Sequence, residues 1–362
     1  MLRGAIAIFR RDFKKFLSNP LVMFMTLVMP IMYLVVFGNA IGGTITGIPI
    51  GAVQEEPYVN YTPLFAEGVT ALQAYHQPGY ASLFVVTVYS SEDIARHALD
   101  TGQIMAYVVF PSDIAPNRPV RLYVDSSEYT IPALIESGVA TVLVALNAPN
   151  PLYVDDIYGT IHYIQFFGVG VIVLAIFMTT MMGGGIALIR DRELGIIEGY
   201  LVTPVKRSSI ILGTIGSGTV RAFLAGFIIF VVDIVIAGVM VRGVESFLLV
   251  LLVLFMTSIG VTSLVVAISS RFSNQQEYAS TIAFFSLILF MTSGAFYPVI
   301  GMPPWLKWIT YVNPEAYAVH ALRSIILRGQ GIAVIAPDLI ALLIFSLGAI
   351  MLGIMTYRRT LE

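Results

Sequence analysis

Arg190, Asp191, Arg192, Glu193, Glu198, Lys206 and Arg207 gather in one short stretch, RDRELGIIEGYLVTPVKR over 190–207, set between two long apolar runs. Charge of this density is costly in lipid, so the stretch belongs at a membrane surface. Its four basic residues favour the cytoplasmic side by the positive-inside rule. Ile196, Ile197 and Leu201 give it one apolar side if it is helical, and Thr203-Pro204 ends the helix because the residue before proline is pushed out of the helical region. The chemistry on offer is docking: a short amphipathic helix at the cytoplasmic mouth of two spans is built to be gripped by something soluble. Glu193, Ile197, Glu198, Leu201 and Pro204 would carry that contact. A loop charged only to set topology is the plainer reading, but it requires neither an apolar side nor a proline stop. Arg10, Arg11 and Lys14 form a second basic group suited equally to docking and to anionic lipid.

Arg221 and Asp233 are the ionisable residues deepest within an apolar run. At about 1.5 Å per residue they lie roughly 18 Å apart along one helix, too far to pair. Such groups are often functional in membranes. The alternative is that Arg221 snorkels inward while Asp233 reaches the opposite interface. His76, His97, His162 and His320 have no metal-ligand spacing, and no cysteine is present to supply thiolates or disulfides. No G-x-S-x-G, H-E-x-x-H or paired-carboxylate pattern supports catalysis, so no catalytic and no metal-binding residue is expected. There is no G-x-x-x-x-G-K-[ST] phosphate loop either, so any ATP hydrolysis that drives the chain belongs to a separate polypeptide.

The elements that must position these residues are membrane helices. Hydrophobic residues make up 57% of the chain and charged residues 12%, against about 25% charge in a soluble domain. The near-neutral balance and the lack of a basic, aromatic-rich patch give no reason to expect nucleic acid. Residues 1–18 interleave Arg3, Arg10, Arg11, Lys14 and Lys15 with apolar side chains and read as an interfacial helix. Residues 19–41 form the first span. A signal peptide is the alternative, but an apolar run of about 20 residues exceeds the about 7–15 of a signal core. Residues 42–160 lack a spanning run and are rich in acids. β-type runs at 48–53, 83–89, 104–110 and 120–124, with helical patterns at 91–99 and 131–146, predict an α+β domain outside the cytoplasm. Asn60-Tyr61-Thr62 within it is a glycosylation sequon.

Five further spans are expected within 161–362, at about 161–189, 210–240, 247–268, 279–297 and 339–357. The fold class is thus a membrane all-α protein of six spans and an N-terminal interfacial helix, with an α+β extracytoplasmic domain between helices one and two. Both termini face the cytoplasm. Residues 298–330, polar and proline-rich with Trp305, Trp308 and Tyr311, read as helices at or dipping into the outer interface.

At this point the residues resemble a family, the permease subunits of type-two ABC exporters. Glu193-Leu194-Gly195-Ile196-Ile197-Glu198 and Leu201 to Arg207 are similar to its coupling segment, and Leu17-Ser18-Asn19-Pro20 through Pro30 to Phe37-Gly38 to its first helix. Ser293-Gly294-Ala295-Phe296-Tyr297-Pro298, Met302 to Leu306, and Tyr311-Val312-Asn313-Pro314 resemble its signature near the last two helices. Residues 104–111 and 123–126 resemble strands of the subgroup with a large outer insertion.

The resemblance implies two permease subunits, identical or different, and two ABC ATPase subunits that hold ATP and magnesium, leaving this chain without a cofactor of its own. It implies a multi-pass cell-membrane location and a lipophilic or amphipathic substrate, with helices two and five flanking the central cavity. Phe166, Phe177, Met181, Phe285 and Phe296 then become candidates for an apolar pathway, with core or lipid packing as the alternative for each. Tyr297 and Pro298 would begin an outer gate or a plain turn. Gly183-Gly184-Gly185 suits a hinge or, more simply, close packing. Two other functions stay open: an ion-extruding or ion-coupled transporter that needs Asp233, and a membrane-anchored receptor or envelope-assembly platform.

Overall fold

The computed structural model describes residues 45–55, 62–76, 81–112, 117–128, 130–159, 161–194 and 207–356. The expected interfacial helix 1–18, the first span 19–41 and most of the segment 190–207 lie outside the described residues. So do Asn60 and Tyr61 of the sequon. What is described divides into two compact units, one of residues 43–166 with 298–302 and the other of 167–297 with 303–362.

The first unit is built on a five-stranded sheet in the order β2-β1-β3-β4-β5. Its strands are β1 (Ile48–Gln54), β2 (Phe84–Tyr89), β3 (Ala106–Phe110), β4 (Val120–Val124) and β5 (Leu152–Asp156). β1 pairs in parallel with β2 (Ile48 opposite Phe84) and with β3 (Ile50 opposite Ala106). β4 runs antiparallel to β3 and parallel to β5. β3 is buried along its whole length and β1 nearly so, as expected of central strands covered on both faces. β5, at an edge, alternates between exposed and half-buried.

Three helices cover the sheet: α1 (Pro63–Ala74), α2 (Glu92–Asp100) and α3 (Ile131–Ala145). Thr62 caps α1 with its hydroxyl on the Phe65 amide and Pro63 at the first position, a pairing that suits proline's fixed φ. Ser91 caps α2, with Glu92 and Asp93 in the first turn where the helix dipole favours them. Ala95, Ala98 and Leu99 of α2 pack on Val53, Ile104, Tyr107 and Val109. Above that core Arg121 bridges Glu92 at 3.2 Å and Glu55 at 3.5 Å. Tyr107 stacks on Tyr123 at 4.7 Å between centroids, and burial, then the Glu92 charge, pushes its hydroxyl up to about 12.

The second unit is helical. α4 (Tyr163–Thr180) leads through a π-helical turn (Met181–Ile186) into α5 (Ala187–Glu193), one helical run in three parts. α6 (Arg207–Ile236), α7 (Gly243–Ser269), α8 (Gln275–Thr292), α9 (Pro304–Val312), α10 (Pro314–Ile326) and α11 (Ile332–Thr356) follow. Among the described residues three helices are long and apolar enough to cross a membrane, over 211–236, 243–269 and 332–356; 164–180 is apolar but shorter. α7 is the central one, with 67% of its apolar window buried against 28% for α6 and 22% for α11. It packs on α6, α10 and α11. Small residues make those crossings close. A Cβ on Gly218 would meet Thr262 Cγ2 at 2.6 Å, and one on Gly260 would meet Ser346 Oγ at 2.7 Å. Such contacts replace the hydrophobic drive that helices lack in lipid.

Candidate functional site

The run α4–π-turn–α5 emerges from an apolar helix and carries the charged stretch beginning at Arg190. Its middle is shaped by glycine. A π-turn shifts the backbone ladder by one residue, and at its start the Met181 carbonyl accepts a hydrogen bond from the Tyr278 hydroxyl of α8 at 3.2 Å. Tyr278 is fully buried. Its ring tip occupies the space above Gly185, where a Cβ would lie 1.8 Å from the hydroxyl oxygen. Only glycine admits this crossing, which supports close packing as the role of Gly185. Phe272 closes the other side, edge-on to Tyr278 with centroids 6.0 Å apart.

Below this crossing the same two elements meet again. The Glu193 carboxylate accepts from the Gln275 backbone N–H at 3.0 Å, and its second oxygen accepts from the Gln275 side-chain amide. The next amides of α8 are held locally, Gln276 N–H on Asn274 Oδ1 at 2.7 Å and Glu277 N–H on the same oxygen at 3.4 Å. The first turn of a helix presents N–H groups without intrahelical partners and a partial positive charge. Here Asn274 supplies the local cap, and a carboxylate from a different helix supplies the other.

The C-terminal end of α8 is fastened as firmly. Asn313 donates from Nδ2 to the Leu289 carbonyl at 2.6 Å and to Thr292 Oγ1 at 3.0 Å, while its Oδ1 caps α10 by accepting from Glu315 N–H at 2.9 Å. Thr310 Oγ1 donates to the Thr292 carbonyl at 2.9 Å. In the turn after α8, where Gly294 takes φ +79°, the Ala295 carbonyl accepts from Arg323 Nη2 at 3.0 Å. Ala295 rests on α4, since a Cβ on Gly170 would stand 2.6 Å from its own, and Phe296 meets Phe167 edge-on at 6.2 Å. Asp233 of α6 meets α4 two positions before Gly170: a Cβ on Gly168 would lie 2.0 Å from its Oδ1. Asp233 is buried, and its Oδ2 has no hydrogen-bond partner among the described residues. On α10, His320 Nδ1 lies 2.8 Å from Asp338 Oδ2 of α11.

Of the residues expected to dock a partner, Glu193 is described and turns onto α8. Ile197, Glu198, Leu201, Pro204, Arg10, Arg11 and Lys14 lie outside the described residues. The aromatic candidates do not share one surface. Phe166 and Phe177 are buried, Phe285 is exposed beside Phe284, Phe296 pairs with Phe167, and Met181 contributes its carbonyl to Tyr278. Tyr297 is half-buried, and Pro298 precedes a 3-10 turn at Val299–Gly301. Arg221 folds back along its own helix, donating from Nε to the Ser217 carbonyl at 3.2 Å and from Nη2 to Ser217 Oγ at 3.4 Å.

Gln275, Tyr278, Arg323 and the His320–Asp338 pair were not singled out from sequence. Two signals were present: Asn274-Gln275-Gln276-Glu277 has capping-box spacing, and Asn313-Pro314-Glu315 has a cap, a first-position proline and a first-turn acid.

Residues 20–355 match the model of the ABC-2 family transporter proteins. The chain is 31% identical over 207 residues to a protein of Porphyra purpurea named as a candidate transport permease, ycf38, covering 54% of this chain and 68% of that one. It is 22% identical over 349 residues to ABC transporter G family member 20 of Dictyostelium discoideum, covering 92% of this chain and 47% of the relative, so it spans about half of that protein. Over 346 residues it is 21% identical to the "Probable multidrug ABC transporter permease YbhS" of Escherichia coli K12, covering 88% and 87%.

Proposed function

The chain belongs to the ABC-2 family of transporter proteins, and from that premise we propose that it is the permease of an ATP-driven exporter of lipophilic or amphipathic molecules. A second permease, identical or different, supplies the other half of the pathway, and separate ATPase chains supply the power. In this reading six helices span the cell membrane with both termini inside, and the sheet unit lies outside as an insertion between helices one and two. Residues 298–330 then sit at the outer interface, with Tyr297 and Pro298 at the start of an outer gate.

The observation that carries the reading is the unbroken helical run 163–193, which leads from apolar α4 into the charged stretch at Arg190 and is held to α8 on the way. Helices two and five of the proposed topology are this run and α8. Closure of the ATPase chains on nucleotide would press on 190–207, move both helices, and open the far end where Gly170 meets Ala295. Ile197, Glu198, Leu201 and Pro204, with Arg10, Arg11 and Lys14, form the docking surface. Pathway residues are drawn from Phe166, Phe177, Met181, Phe285 and Phe296, each on α4, the π-turn, α8 or the turn after it.

Replacing Glu198→Arg or Leu201→Asp tests the docking assignment. An ATP-binding chain that accompanies the wild type in mild detergent is expected to be lost from both variants. Its full retention in both would remove the segment from the contact.

A second reading rests on Asp233, whose buried carboxyl, with one oxygen unpartnered among the described residues, suits an ion-coupled or ion-extruding transporter. In such a carrier Asp233→Asn abolishes transport; in a lipophile exporter its effect is mild.

A further inference from the structure

We infer that Glu193 is the positioning residue that hands movement of the coupling segment to α8, and that it is not part of the surface that grips the ATPase; the inference rests on the exporter reading above. The segment 195–206 continues covalently from α5 on one side and into α6 on the other. It has no covalent link to α8, which follows α7 after a short turn at 270–274. Among the described residues, the direct route from the end of the 163–193 run to α8 is through side-chain contacts.

Glu193 with Gln275, and Tyr278 with the Met181 carbonyl, are polar contacts that join the 163–193 run to the first half of α8. The second sits on the π-turn, several residues above the segment. The first sits at the residue where α5 ends, two positions from where the segment begins. Its geometry is directional. One carboxylate takes both the backbone amide and the side-chain amide of the same residue, so α8 cannot slide along its axis or turn about it without breaking one of the two. The contact also falls on the helix end whose partial positive charge favours a carboxylate.

The other end of α8 makes the transfer useful. Asn313 and Thr310 bind Leu289 and Thr292, and the turn that follows carries Ala295 onto Gly170 and into the grip of Arg323. α8 is thus a rod held at both ends. A displacement applied at Gln275 arrives at the Gly170–Ala295 crossing, the point proposed above to open. Both Glu193 oxygens accept from Gln275, which turns the carboxylate toward α8.

The test uses the full-length chain with the ATP-binding chain that accompanies it. The sequence contains no cysteine, so on this chain the spin labels go only to Gln276→Cys on α8 and Met351→Cys on α11, both exposed positions, and the ATP-binding chain is used with its own cysteines replaced. The wild-type background is expected to show a change in that distance on adding ATP and vanadate. Glu193→Ala should retain the ATP-binding chain and lose the change. The exchange Glu193→Gln with Gln275→Glu should restore it, because the amide and carboxylate merely trade places. Two results overturn the inference: loss of the ATP-binding chain from Glu193→Ala, which returns the residue to docking, or an undiminished distance change in that variant. If no ATP-binding chain accompanies even the wild type, the exporter reading itself fails and the inference falls with it.

Discussion

Gly185→Ala is the smallest perturbation that reaches the junction of the 163–193 run with α8. The added methyl would lie 1.8 Å from the Tyr278 hydroxyl oxygen and 2.2 Å from Cζ, far inside contact distance, so the ring must leave its seat. Forced overpacking costs about 1–3 kcal/mol. Displacing a fully buried tyrosine whose hydroxyl bonds the Met181 carbonyl adds about 1–3 kcal/mol for the polar groups left unpaired. Alanine returns about 1 kcal/mol through its better helix propensity. The net loss is about 1–5 kcal/mol, and at roughly 2–4 °C per kcal/mol the melting temperature in detergent should fall by about 2–20 °C. The assay is thermal unfolding followed by size-exclusion chromatography, run as a double-mutant cycle with Tyr278→Ala. With the ring gone, Gly185→Ala should cost nothing further, because the atoms it strikes are absent. A Gly185→Ala melting point within about 1 °C of wild type, or an equal fall in the Tyr278→Ala background, would refute the reasoning.

Other outcomes follow from single contacts. Asn313→Ala removes the α10 cap and leaves the Leu289 carbonyl without its 2.6 Å donor; the loss should be about 2–4 kcal/mol, read as a lowered melting temperature, while Asn313→Asp keeps the cap and recovers part of it. Gly168→Ala pushes a methyl to within 2.0 Å of Asp233 Oδ1 and should destabilise the chain, whereas Asp233→Asn keeps the shape and should leave both folding and lipophile export near wild type. In the sheet unit burial and then the neighbouring Asp156 charge raise the Glu136 carboxyl, and burial and then Asp155 raise that of Asp156. Groups raised in the folded state contribute stability below their unfolded values and lose it as pH rises through the folded ones. Glu136→Gln should therefore slow hydrogen exchange of β5 at pH 7 and make no difference at pH 4.

The long apolar helices α6, α7 and α11 were legible because burial in lipid or protein demands sustained runs, which composition exposes directly. Strands β1 to β4 were legible from short β-branched runs, α2 from its Ser91 cap and α3 from its helical pattern. β5 was missed because Leu152-Tyr153-Val154-Asp155-Asp156 is short, ends in two acids and lies on an edge, where pairing to β4 rather than a buried face defines it. α1 was missed too; its local signal was Thr62-Pro63. The junction was hidden for a different reason. Glu193 and Gln275 stand 82 positions apart, and Tyr278 reaches Met181 across 97. No local period records such a meeting. Gly183-Gly184-Gly185 marked where something must come close without saying what, and His320–Asp338 offered no mark at all.

The central claim is that this chain is the permease of an ATP-driven transporter. Its most direct test is to purify the tagged wild-type protein from native membranes in mild detergent, weigh the chains that co-elute, and measure ATP hydrolysis in the eluate. A stoichiometric chain bearing a phosphate loop, with vanadate-sensitive hydrolysis, is the predicted result. The chain eluting alone and without hydrolysis, under conditions that keep other membrane complexes together, would contradict it.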